Sequence, residues 1–213
     1  MMFADRREAG DRLAQALERF RGSDAVVLAI PRGGVIVGAV VSEALDLPLD
    51  VVVPRKVGAP GNPELGLGAV APGVRVIDPR MVEALGVGQA YLEREITLQE
   101  REIERRLAAY RAGRPAVAVR DRTAIVVDDG VATGGTAIAA LRWARAQGAH
   151  EVVLAVPVAP GASIRRLDRE ADRVLILAAP EPFYAVGEWY GRFDQTSDEQ
   201  VVEALARAAE SRT

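Results

Sequence analysis

Asp128 and Asp129 close an apolar run, Ala124-Ile125-Val126-Val127, and are followed at once by Gly130-Val131-Ala132-Thr133-Gly134-Gly135-Thr136. Two neighbouring carboxylates at the end of a buried strand repel each other and are costly to strip of water. They make sense facing hydroxyls, a metal-bound water or water itself. Thr133, Gly134, Gly135 and Thr136 offer consecutive backbone N–H groups with no bulky side chain in the way, at the positive end of the helix that should follow. That is a seat for a phosphate group. A diol or metal on the carboxylates, with phosphate on the turn, describes a ribose 5-phosphate. Taken singly, Asp-Asp-Gly is an ordinary turn with a helix cap and Thr-Gly-Gly-Thr an ordinary tight turn; their order after a buried strand is what joins them.

Cations stand at two other strand ends. Arg32 lies in Ile30-Pro31-Arg32-Gly33-Gly34, and Arg55-Lys56 follows the next apolar run. Lys56 is the sole lysine of a chain that otherwise uses arginine, and the two cations differ in shape and hydration, so a lysine kept here points to a task arginine would not serve. Coming from two strand ends, Arg32, Arg55 and Lys56 could all face one anionic group. Other chemistries are excluded. The chain has no cysteine, hence no disulfide, thiolate metal site or Cys nucleophile. His150, the sole histidine, sits in the turn Gly148-Ala149-His150-Glu151, so neither a Ser/His/Asp triad nor a histidine metal cluster can be built. No lysine adjoins the Thr133–Thr136 turn, as a Walker A loop requires, and no G-x-G-x-x-G follows a strand.

These residues need a scaffold that brings several strand ends together. Ala25–Ile30 is a continuous apolar run, as a strand buried on both faces should be. Leu49–Val53, Val74–Ile77, Thr123–Val127, Val152–Val156 and Val174–Leu177 read as further strands, and helical periods fill about 4–20, 35–45, 79–85, 89–111, 135–147, 161–170 and 198–210. Strands separated by helices predict an α/β fold with a mostly parallel central sheet flanked by helices. Over 89–111, Leu92, Ile96, Gln99, Ile103, Leu107 and Tyr110 form a stripe that packs on the sheet or, as the sharper alternative, against a second copy in a homodimer. Residues 54–68 hold too many glycines and prolines for helix or strand. With the sole lysine and the sole asparagine, Asn62, they read as a functional loop at the carboxyl edge of the sheet, a mobile lid over about 55–68.

Residues 124–136 closely resemble the signature of the type I phosphoribosyltransferases: four apolar residues, two acids, then a small Thr/Gly-rich turn. The family uses 5-phosphoribosyl-1-diphosphate (PRPP). The resemblance implies that Asp128 and Asp129 hold the ribose, directly or through a metal-bound water, that Thr133, Gly134, Gly135 and Thr136 grip the 5-phosphate, and that Gly130 and Ala132 also belong to the PRPP-binding stretch. Arg32, Gly33 and Gly34 look like the family's pyrophosphate loop, which often carries a non-proline cis peptide; here it would fall at or near Arg32-Gly33. Arg55 and Lys56 look like the Arg-Lys pair of the orotate and adenine enzymes, with 57–68 as the loop that closes over PRPP. Arg32, Lys56, Asp128 and Asp129 would carry catalysis with Mg²⁺ as cofactor. The family's small hood would come from about 1–22 and 180–213, where the aromatic stretch 183–190 offers Phe183 and Trp189 as platforms for a base. One departure matters: Ala132 stands where the 6-oxopurine enzymes have an aspartate, which looks more like the adenine enzymes and leaves the acceptor base open.

Composition agrees with this scale of fold. The 213 residues are enough for one domain spanning 1–213, at 49% hydrophobic and 27% charged. No apolar run approaches the roughly 20 residues of a membrane span. The polar opening Asp5-Arg6-Arg7-Glu8 is unlike a signal peptide, which predicts a cytoplasmic protein. A formal net charge of −3 gives no basic face for nucleic acid, so the expected partners are PRPP and a small-molecule base. Few asparagines and no cysteine agree with life at high temperature, and equally with codon bias. The rival class is a PRPP-sensing regulator or a PRPP-binding protein without turnover.

Overall fold

The computed structural model describes residues 2–210. Five strands form a wholly parallel sheet in the order β2-β1-β6-β7-β8: β1 (Val26–Ala29), β2 (Leu49–Val51), β6 (Thr123–Val127), β7 (Glu151–Val158) and β8 (Arg173–Ala178). The continuous apolar runs have the physical cause the sequence suggested: both faces are covered. Along β1 and β6, Val27, Ala29, Ile125 and Val127 enter one core, while Val26, Leu28, Ala124 and Val126 enter the other. The first core lies under α1 (Arg6–Ala16), α2 (Gly33–Leu45) and α7 (Asp198–Glu210). The second lies under α5 (Gly135–Ala146) and receives Leu167 from α6 (Gly161–Leu167).

The segment 55–68 is not the irregular loop its composition suggested. Arg55–Ala59 (β3) and Asn62–Ala71 (β4) pair antiparallel, and Val74–Ile77 (β5) completes a second, three-stranded sheet instead of joining the first. Its prolines and glycines fall where a hairpin accepts them. Ala59 pairs with Asn62 across Pro60-Gly61, and Gly61 takes φ +72°, the preset φ of proline followed by a left-handed residue that a type II turn needs. Register shifts at Val57/Gly58 and Gly58/Ala59 absorb the rest as bulges. Gly and Pro content therefore misled because it was read as loop chemistry without the pairing partner.

This small sheet packs between α4 (Gln89–Arg111) and α5. Of the α4 stripe, Leu92, Ile96, Ile103 and Tyr110 are buried, against Val57, Leu67 and Val70 of the small sheet and Val201 and Leu205 of α7. The stripe thus meets mainly the hairpin and α7, while Arg111 at the end of α4 reaches Asp50 of β2 in the central sheet. The short α3 (Pro79–Ala84), capped by Asp78, links β5 to α4. At the edge of the fold the terminal segments meet: Phe3 N–H donates to the Trp189 carbonyl at 2.8 Å, Gly191 N–H to the Phe3 carbonyl at 2.7 Å, and Phe3, Ala9 and Tyr190 form a small cluster of their own. The segments expected to form a hood, called the hood below, thus meet one another; residues 1 and 211–213 lie outside the described residues.

Candidate functional site

Parallel pairing of β1 with β6 decides which groups meet. Ala29 lies opposite Val127, and Ile30 N–H donates to the Val127 carbonyl at 2.8 Å, so both strands end at the same level. The turn after β1 therefore lies on the acids that follow β6. That turn holds a cis peptide between Pro31 and Arg32, one bond before the expected Arg32-Gly33 and within the expected loop. Gly33 and Gly34 begin α2, and a β-carbon on Gly34 would come 2.8 Å from Asp128 Cα, so glycine is needed there for the close approach of two backbones.

Asp128 and Asp129 differ in surroundings although they are neighbours. The Asp129 N–H donates to Asp128 Oδ1 at 2.8 Å. Burial, then repulsion from Asp129, pushes the Asp128 carboxyl well above its usual value. Asp129 instead accepts a hydrogen bond on Oδ2 from Nε of Arg6 at 2.8 Å, and both side chains are largely buried, 12% and 15% exposed. Its carbonyl accepts the hydroxyl of Tyr190 from the hood. Burial and the nearby Asp129 charge hold that phenol far above its ordinary pKa, so it stays a donor.

Next along the chain, Gly134 takes φ +83° as the N-cap of α5, with Ala132 and Thr133 exposed. No side chain caps this helix, so the amides at its start are left to a ligand or water. Behind the turn, Ser163 of α6 donates its hydroxyl to the Ala132 carbonyl at 2.7 Å and is itself buried. Two clefts beside α1, α2 and α7, of about 450 and 260 Å³, are lined by neither acid, although the smaller one is lined by Arg6, the partner of Asp129, and by Asp194.

The three cations do not converge on one point. The Arg32 guanidinium lies 3.8 Å from Asp198 at the start of α7, and that carboxylate accepts the buried Tyr110 hydroxyl at 2.8 Å. Lys56 pairs with the exposed Glu64 of β4 at 3.1 Å. Arg55 donates instead to Gln99 of α4 at 2.9 Å, and burial followed by the Arg106 charge pulls its pKa below the usual arginine value. Adjacent residues of a strand project to opposite faces, which is why Arg55 and Lys56 part company. The expectation that all three share one anion fails for Arg55 in this conformation.

In the hood, Phe183 and Trp189 stand nearly parallel, with ring centres 6.4 Å apart and planes 16° apart. Among the described residues the indole N–H of Trp189 is buried without a hydrogen-bond partner. Arg6, Ser163 and Asp198 escaped the sequence reading, and Tyr190 is marked there only as part of the aromatic stretch 183–190. Nothing local marks the first three: Arg6 is one of many arginines, and each acts across long stretches of chain. Among the described residues, no helix is long and apolar enough to cross a membrane, and no group of three or more His, Cys, Asp or Glu could hold a metal ion by itself.

Comparison with known proteins shows the family of the chain. The phosphoribosyl transferase domain model matches residues 5–185. A Mycobacterium tuberculosis (strain H37Rv) protein described as "putative phosphoribosyl transferase" is 46% identical over 208 residues, covering 97% of this chain and 47% of its own length. The relative from strain CDC 1551 matches to the same extent, so the chain spans about half the length of the curated relatives it matches. The crystal structure of TT1426 from Thermus thermophilus superposes with a TM-score of 0.82 at 44% identity, covering 97% of this chain and 99% of that one. With the domain model running from the first helix through both acids into the hood, the chain belongs to the phosphoribosyl transferase domain family.

Proposed function

We propose that this chain binds PRPP and transfers its 5-phosphoribosyl group to a nitrogenous base, releasing pyrophosphate. One observation carries the reading: the strand-tip acids Asp128 and Asp129 adjoin both an uncapped helix start at Gly134 and the close-packed turn at Gly33 and Gly34. A pentose with phosphate at one end and diphosphate at the other matches that order of groups. The 5-phosphate would take the amides of Thr133–Thr136 at the positive end of α5. Asp128 and Asp129 would accept hydrogen bonds from the ribose hydroxyls, and the diphosphate would lie by the Arg32-Gly33-Gly34 turn.

In the reaction the bond from C1 to the diphosphate oxygen breaks as the bond from C1 to a base nitrogen forms, through an oxocarbenium-like transition state. The electron pair leaves with pyrophosphate, and the base nitrogen loses its proton to solvent or a basic group. Because the leaving group is highly charged, catalysis would rest on positioning and electrostatics, with Arg32 and Lys56 drawn to it from Asp198 and Glu64. The donor set suits Mg²⁺ held mostly by substrate oxygens and water, with one or two carboxylates from the protein, here Asp128 and Asp129. When bound, Mg²⁺ would offset charge on the diphosphate. The hairpin β3–β4, which carries Lys56, would shield the site from water, which otherwise hydrolyses PRPP. Phe183 and Trp189 offer flat apolar faces for a heterocycle.

Ala132, in place of an acid at the turn, favours a second reading in which PRPP is bound without turnover. Incubating the protein and Mg²⁺ with PRPP and a panel of bases, with assay of pyrophosphate, separates the two. Base-dependent release supports the transferase; binding without release supports the sensor; no binding of PRPP ends both.

A further inference from the structure

Arg6 belongs to no motif, yet it touches both one of the twin acids and the chain just after the hood aromatics. Its Nε donates to Asp129 Oδ2 at 2.8 Å and its Nη1 to the Asp194 carbonyl at 2.7 Å, while the guanidinium carbon lies 3.9 Å from the centre of the Phe193 ring. The phenol of Tyr190, which packs on Phe193 with ring centres 4.9 Å apart, donates to the Asp129 carbonyl from the same side. One acid of the twin pair is thereby held at side chain and backbone by groups from the two terminal segments. We propose that Arg6 is a positioning residue of the sugar-diphosphate site, acting through Asp129: it fixes that carboxylate beside the Gly33 turn and cancels one of two adjacent negative charges that a polyanionic donor must approach. The inference rests on the donor assignment made above and adds a residue to it.

The physical argument is one of charge and reach. Two uncompensated carboxylates in a half-buried corner would repel a donor bearing three phosphate groups, whereas a pair already neutralised on one member presents a single charge. Arginine suits the post because its forked donors serve the carboxylate and the Asp194 carbonyl at once, while its flat face rests on Phe193. Those partners lie just after Trp189, so Arg6 ties Asp129 to that segment of the hood.

Calorimetric titration of PRPP into the full chain with Mg²⁺ tests this, comparing wild type with Arg6→Gln, Arg6→Lys, Asp129→Asn and the double variant Arg6→Gln/Asp129→Asn. Arg6→Gln is expected to weaken donor binding by about tenfold or more, as loss of one partner of a desolvated pair does. The double variant should bind no more weakly than Asp129→Asn alone, because coupled residues do not add their effects. Arg6→Lys, which keeps the charge but loses the fork and the flat face, should bind between wild type and Arg6→Gln, and it carries the test should Arg6→Gln not fold, wild-type-like affinity then overturning the proposal. Arg192→Ala removes an exposed hood tether to Asp5 (2.6 Å) without touching Asp129, and should stay within about twofold of wild type. Wild-type-like affinity in Arg6→Gln, multiplying losses in the double variant, or an equal loss in Arg192→Ala overturns the proposal. Failure of the wild type itself to take up PRPP overturns the donor assignment instead, and this inference with it.

Discussion

Gly33 and Asp129 are packed so closely that a β-carbon at position 33 would lie 1.9 Å from Oδ2 of the aspartate. The first residue of α2 and the second acid after β6 thus occupy complementary space, although they are far apart in sequence. Gly33→Ala must drive the carboxylate off Arg6 or move the turn after β1. Either disrupts the corner assigned to the donor. The expected outcome is a folded protein whose PRPP affinity falls by about tenfold or more, read by titration calorimetry. Affinity equal to wild type would show that the packing is incidental.

Lys56 is expected to matter to turnover more than to folding. Its partner Glu64 is 94% exposed, so the pair contributes little to stability. Lys56→Ala should lower kcat by about tenfold or more, roughly 1.4 kcal/mol of transition-state stabilisation, while thermal unfolding hardly changes. Full activity in this variant would make the sole lysine an accident of composition.

The twin acids should part under mutation. Asp128→Asn removes a carboxyl that burial and its neighbour already disfavour, so it should weaken donor binding without lowering the melting temperature. Asp129→Asn leaves the Arg6 guanidinium half-orphaned. Its cost should fall between the ~1 kcal/mol of an exposed ion pair and the ~3–5 kcal/mol of a fully buried one. A fall of several degrees in Tm for Asp129→Asn alone, measured by calorimetry beside donor affinity, is the expected pattern. Equal stability of the two variants would contradict it.

Tyr110 gives a pH signature. Burial, then its hydrogen bond to Asp198, raises the phenol to about 12 from an ordinary value of 10.0. A group raised in the folded state contributes stability that is complete below its unfolded pKa and is lost as pH climbs through the folded one. The wild type should therefore lose stability between about pH 10 and 12 more steeply than Tyr110→Phe, measured by denaturant unfolding at each pH. Parallel curves would mean that the phenol gains nothing from its burial.

Much of this molecule was legible from residue order. Thr123–Val127 reads as a doubly buried strand because its run is apolar without alternation, and Asp128 through Thr136 stand out as one candidate group because neighbours in sequence stay neighbours at a strand end. The α4 stripe declared a buried face by its period, though not which surface would cover it. What the chain alone could not disclose depends on contacts between distant segments. The pairing β2-β1-β6 sets Gly33 on Asp129, and strand alternation sends Arg55 to Gln99 and Lys56 to Glu64. Proline and glycine at 54–68 became a hairpin because bulges and a two-residue turn accept them once a partner strand is present. Arg6 shows the division most plainly. Local pattern reports propensity and burial, which depend on a few adjacent residues, whereas the use of one arginine among many is fixed by which carboxylate the tertiary fold brings within hydrogen-bond reach.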